Sequence, residues 1–93
     1  MELKVFTLQS CSRCPLAKSI VSEVAREFGL AYREVDLGTK EGLSEGLAYH
    51  IMGAPSIAID DEVVARARLI SKEKLAEEVR RRLEKWKSRA SAE

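Results

Sequence analysis

The chain holds two cysteines, Cys11 and Cys14, placed three residues apart. Random placement would give that spacing roughly 2% of the time, so the spacing has a purpose. Two thiols this close can pass two electrons reversibly between a dithiol and a disulfide, with a thiolate as the attacking species. A paired but inert disulfide and a metal site are the competing uses. Two thiolates fill half of a tetrahedral zinc site and His50 is the sole histidine, so a metal or a bridged iron–sulfur cluster needs a second chain or an outside ligand.

Cys11-Ser12-Arg13-Cys14 falls between a strand-like run, Leu3 to Gln9, and a helical repeat from Leu16 to Phe28 that stops at Gly29. A CxxC beside a βαβ pattern reads as redox-active. At the helix N-terminus, unpaired N–H groups favour a thiolate, which assigns Cys11 as nucleophile and leaves Cys14, one turn later, as the resolving thiol. Pro15 in the first turn removes no helical hydrogen bond. Arg13 and Lys18 add positive charge, so the Cys11 pKa is expected below that of a free thiol.

The remaining elements must hold this pair in place. The apolar positions Leu16, Ile20, Val24 and Phe28, with Ala17, Val21 and Ala25, predict the face of the first helix. Tyr32 to Leu37 reads as a strand near a sheet edge, and Thr39 caps a short helix with Leu43, Leu47 and Ile51 on one face, although Gly42 and Gly46 weaken it. Ser56 to Asp60 and Val63 to Arg68 form a hairpin across Asp61 and Glu62. Ser71 caps a last helix striped by Leu75, Val79, Leu83 and Trp86, with fraying expected beyond about Lys87. The order is β-α-β-α-β-β-α, with a right-handed βαβ unit.

Tyr49-His50-Ile51-Met52-Gly53-Ala54-Pro55-Ser56 ends a helix at Gly53 and begins a strand with Pro. Together with the CxxC it resembles the thioredoxin and glutaredoxin superfamily, over essentially the whole chain. The resemblance implies an α/β thioredoxin fold, a four-stranded mixed sheet with three helices, in one domain spanning residues 1–93. It implies a cis Ala54–Pro55 bond facing the cysteines, with the Ala54 backbone pairing to an extended substrate. Ser12, Arg13, Ala54, Pro55 and Ser56 are then the substrate-binding residues beside the catalytic Cys11 and Cys14. Ser10 stands where thioredoxins carry Trp. The first strand offers only Lys4, Thr7 and Gln9 as polar groups, so a proton acceptor for Cys14 must come from elsewhere. Ala67-Arg68-Leu69-Ile70-Ser71 replaces the Gly-Gly-acid run with which glutaredoxins hold glutathione, although Arg13, Arg66 or Arg68 could contact its carboxylates.

The reading that follows is a thioredoxin-like reductase of protein disulfides, recharged by a separate reductase, with no tightly bound cofactor and no metal. A glutathione-dependent glutaredoxin and a metal or iron–sulfur carrier are the alternatives. With 16 Lys and Arg against 15 Asp and Glu, charge supplies no general attraction to nucleic acid or anionic lipid. Glu77, Glu78 and Glu84 intersperse the basic residues of the last helix, which reads as a solvated, ion-paired face. His50 is expected to complement a helix dipole, and Tyr32 and Tyr49 to pack with wet hydroxyls. No run reaches the roughly 20 apolar residues of a membrane span. The opening Met1-Glu2-Leu3-Lys4-Val5 carries neither a basic leader nor a small-residue cleavage site, so a cytoplasmic location is the expectation, and a monomer is expected. Asn is absent and Gln9 is the one Gln, a balance reported for proteins of high-temperature organisms.

Overall fold

A computed structural model of the chain describes residues 1–92, with side chains up to residue 85. Its elements are β1 (Glu2–Thr7), α1 (Cys14–Phe28), β2 (Ala31–Asp36), α2 (Lys40–Ala48), β3 (Ser56–Ile59), β4 (Glu62–Ala65) and α3 (Lys72–Ala92), in the expected order. The sheet order is β2-β1-β3-β4. β1 pairs parallel with β2 and antiparallel with β3, and β3 pairs antiparallel with β4. β1 is therefore interior, which matches its unbroken burial from Leu3 to Thr7. β2 lies on an edge and exposes Ala31 through Glu34, as its charges predict.

Each sheet face carries its own core. Leu3, Val5, Ile57 and Ile59 meet α1 and α3 through Ala17, Val21, Val24, Leu75 and Val79. On the opposite face Phe6 and Ala58 meet Val35, Leu37 and Ile51. α1 begins at Cys14 and ends with Gly29 in the left-handed region (φ 66°), where the Leu30 N–H reaches back to the Ala25 carbonyl at 2.8 Å. Leu16, expected on the buried face, is 54% exposed; the inward positions are Cys14, Ala17, Val21, Val24 and Ala25.

α2 inverts its predicted amphipathicity. Thr39 caps it by accepting from the Gly42 N–H at 3.0 Å. Leu43 and Leu47 are 48% and 50% exposed, whereas Gly42 and Gly46 are the buried positions. A Cβ on Gly42 would lie 1.8 Å from the Asp36 carbonyl oxygen, and one on Gly46 would lie 2.5 Å from Leu37 Cδ2. The glycines let the helix backbone rest directly on the end of β2, and that approach turns the leucines outward. Ile51 is buried as expected, but beyond the helix end.

The hairpin turn falls at Asp60–Asp61, with Asp60 at φ 53°, one residue earlier than the charges suggest. Ser71 does cap α3, accepting from the Lys74 N–H at 3.1 Å. α3 is helical to Ala92, past Lys87, while the expectation for the Trp86 side chain lies outside the described residues. On α3, Glu78 pairs with Lys74, Arg81 and Arg82, and Arg82 also reaches Glu62 at 3.0 Å, the ion-paired face read from the sequence. Among the described residues no helix is long and apolar enough to cross a membrane.

Candidate active site

The cysteines sit where β1 hands over to α1. After Thr7 the chain turns, the Cys11 N–H donating to the Leu8 carbonyl at 3.1 Å, and α1 starts at Cys14 with Pro15 second. Arg13 is the N-cap residue, without a side-chain cap bond. Cys11 thus stands three residues ahead of the first helical residue, and Cys14 is that residue. The two are joined as a disulfide, their Cα atoms 5.4 Å apart. They differ in access: Cys14 is 3% exposed and Cys11 is half-buried.

The second wall comes from the segment entering β3. The Ala54–Pro55 bond is cis. A groove of about 250 Å³ is lined by Cys11, Ser12, Arg13, Ala54, Pro55 and Ala67, with Ser10 at its edge. The sequence-predicted residues Cys11, Ser12, Arg13, Ala54 and Pro55 are therefore brought together. Ser56 is not among them. It is fully buried, its hydroxyl donating to the Gly53 carbonyl at 2.7 Å and accepting from the Ala67 N–H at 3.0 Å. That bridge fixes the Pro55 segment against the chain leaving β4, so Ser56 positions the groove wall without lining it.

The rest of the wall is also tied down. His50 takes the left-handed conformation (φ 59°), and the Ile51 N–H reaches the Gly46 carbonyl at 2.8 Å, the hydrogen-bond pattern of a helix stop usually made by glycine. The Arg66 guanidinium donates to the carbonyls of Tyr49 and His50 at 3.0 and 2.8 Å. This employment takes Arg66 away from the carboxylate-binding role weighed for it. His50 lines neither cavity at the cysteines.

A second cleft, of about 170 Å³, also reaches both cysteines, and Thr7, Lys18, Glu34 and Asp36 contribute to its wall. The two acids were missed in the sequence. Thr7 pairs with Asp36 in the parallel register of β1 and β2, which brings the C-terminal end of β2 beside the turn that carries the cysteines, and no local sequence pattern states that register. Farther along β1, Lys4 is 9% exposed, lies over the Tyr49 ring and donates to its hydroxyl. That bond, with Glu45 and Glu2 nearby, holds its ammonium above the ordinary range. Tyr49 packs against Phe6 in a tilted arrangement with ring centroids 5.6 Å apart and donates its hydroxyl to the Asp60 carbonyl at 3.2 Å on the exposed side. Among the described residues no group of three or more His, Cys, Asp or Glu side chains is placed to hold a metal ion.

Comparison with known proteins decides the family. The family model described as "Thioredoxin domain" matches residues 1–80. The chain belongs to the thioredoxin family. A protein named a probable thioredoxin, from Archaeoglobus fulgidus, is 40% identical over 60 residues, 64% of this chain and 66% of that protein. A thioredoxin of Methanocaldococcus jannaschii is 32% identical over 89% of this chain and 96% of its own length. Thioredoxin 1 of Thermosipho africanus has the same fold, with a TM-score of 0.73 over 90% of this chain and 96% of that one at 22% identity. With the Cys11–Cys14 pair in place, this member of the thioredoxin family is a thiol–disulfide oxidoreductase whose redox centre is that disulfide. These relatives point to thioredoxin and away from glutaredoxin, so glutathione gains no support as its reductant.

Proposed function

We propose that the chain acts as a single domain that reduces disulfides of protein substrates, with Cys11 attacking and Cys14 resolving. The observation that carries this reading is the difference in access: the half-buried Cys11 lines the groove beside Ala54 and Pro55, while Cys14 is nearly sealed off behind it. In the first step the Cys11 thiolate attacks one sulfur of a substrate disulfide, forming a mixed disulfide and releasing one substrate thiolate. In the second, the Cys14 thiolate attacks Cys11 Sγ, the Cys11–Cys14 bond forms, and the second substrate thiolate leaves. Two electrons have passed to the substrate. A separate reductase returns two electrons and two protons to the pair, and no tightly bound cofactor is needed.

The groove supports recognition of backbone more than of side chains. Ala54 and Ala67 keep its walls low, and an extended segment can pair with the Ala54 backbone. Ser12 and Arg13 are exposed at the rim, where Arg13 can meet an acidic substrate group. A monomer working in the cytoplasm against disulfide-containing proteins is the setting that fits this chemistry. The test is turnover of a protein disulfide with dithiothreitol as electron source. Cys11→Ser should abolish turnover and form no adduct, and Cys14→Ser should accumulate a substrate mixed disulfide visible by mass. Adducts trapped on Cys14 in the Cys11→Ser variant, with none on Cys11 in the Cys14→Ser variant, would reverse the assignment.

A further inference from the structure

From Leu3 to Thr7 the first strand carries no acid, and the cleft at the cysteines is lined instead by groups from neighbouring elements. Thr7, 5% exposed at the end of β1, donates its hydroxyl to Glu34 Oε1 at 3.3 Å. Lys18 on α1 approaches the same oxygen at 3.5 Å. All three side chains line the cleft that reaches Cys11 and Cys14. The buried threonine holds the Glu34 carboxylate on the cleft wall, where it would otherwise swing into solvent.

We propose that the Lys18–Glu34 ion pair tunes the Cys11–Cys14 couple, Lys18 favouring the thiolate and Glu34 offsetting it. The other charges facing the pair are Asp36 on β2, whose carboxylate accepts from the Gly38 N–H at 2.8 Å, and Arg13 at the N-cap. The segment entering β3 contributes only the uncharged Ala54 and Pro55. Within the rear cleft Lys18 is thus one cation against two carboxylates. Removing the Lys18 charge leaves two anions facing the sulfurs, which disfavours a thiolate; removing the Glu34 charge leaves Lys18 less compensated, which favours one. Lys18 and Glu34 are 41% and 43% exposed, so screening keeps each effect small.

The test rests on the redox reading above and is arranged to fail separately from it. Wild type, Glu34→Gln, Lys18→Met and the double variant are reduced, and thiol pKa values are taken from the pH dependence of alkylation followed by mass. Glu34→Gln keeps an acceptor for Thr7 and removes only charge. It should lower the nucleophilic thiol's pKa by about half a unit, about threefold in the thiolate-to-thiol ratio, and Lys18→Met should raise it by as much. The double variant should return close to wild type. At a pH above the thiol pKa, the two single variants should move the couple's equilibrium with dithiothreitol by about threefold in opposite directions, about 14 mV each. A wild-type pair that fails to titrate reversibly would defeat the redox reading itself. A wild type that titrates normally, with single variants that do not move or that move together, would overturn the tuning role.

Discussion

Replacing Gly42 by alanine should destabilise the protein, against the ordinary rule for helix interiors. Alanine in place of glycine at an exposed helical position contributes about 1 kcal/mol of stability. At Gly42 the added carbon would sit 1.8 Å from the Asp36 carbonyl oxygen, 2.6 Å from its carbon and 2.9 Å from Thr39 Oγ1. Comfortable separation is about 3.5 Å, so α2 must retreat by roughly 1.5 Å from backbone that cannot rotate away. The same Asp36 oxygen accepts from the Thr39 N–H at 3.1 Å and the Thr39 hydroxyl at 2.8 Å, so the retreat also pulls on the helix start. Overpacking of this kind costs about 3 kcal/mol, and the propensity gain offsets about 1, leaving a net loss of about 2 kcal/mol. For a domain this size that is a fall in Tm of roughly 8–16 °C. Gly46→Ala meets only Leu37 Cδ2, the end of a flexible side chain, and should come out within about 1 kcal/mol of wild type. Urea and thermal unfolding of the oxidised protein measure both. A Gly42→Ala protein as stable as wild type, or more so, would refute the claim that the glycines are there for close approach.

His50→Gly should stabilise the fold by about 0.5–1 kcal/mol, because the left-handed position at residue 50 then carries no Cβ; turnover that stays unchanged would show that the imidazole has no part in the chemistry. Tyr49→Phe removes the hydroxyl that accepts from the buried Lys4 ammonium, and denaturant unfolding should show a loss of about 1–3 kcal/mol. Ser56→Ala leaves the Ala67 N–H without its acceptor and should cost about 1–3 kcal/mol, with a larger rise in KM than fall in kcat if the groove wall loosens. The Arg33 bond to Glu45 and the Arg81 bond to Glu78 hold both carboxyls below the ordinary range. Their stability is fully present above the unfolded value of about pH 4.3 and is lost as pH falls through the lower folded values, so unfolding free energy should drop as the pH falls below about 4.3. The partly exposed Arg33–Glu45 pair is worth about 0.5 kcal/mol, and Glu45→Gln should flatten its share of that drop.

The sequence was most legible where one local rule settled the matter. Gly29 after a helical repeat stops α1, Thr39 and Ser71 cap their helices, and the charge-rich β2 lies at an edge. It misled where tertiary distance decides. Leucines at helical spacing normally mark a buried face, yet at Gly42 the contact of α2 with β2 is so close that only glycine fits, and Leu43 and Leu47 are displaced outward. The cysteines, Ser12, Arg13, Ala54 and Pro55 could be grouped because two short motifs carry them. Glu34 and Asp36 escaped notice because their place behind the cysteines depends on the β1–β2 register, which no local pattern states.

The inverted face of α2 also bears on the site. Because the helix rests on β2 through glycine, its C-terminal end is set by backbone contact, and the residues that follow inherit that position. His50 turns the chain, Ile51 buries into the core, and Arg66 grips the two carbonyls between them. Four residues after Ile51, Pro55 faces Cys11 across the groove, with Ser56 pinned to Gly53 and Ala67 behind it. The wall opposite the cysteines is thus fixed by hydrogen bonds at both ends of a five-residue segment, 51–55, most of which has no regular secondary structure. On the proposed reading, a groove built this way would hold an extended backbone at a constant distance from Cys11 whatever the substrate's side chains, the geometry one cysteine pair needs to act on many disulfides.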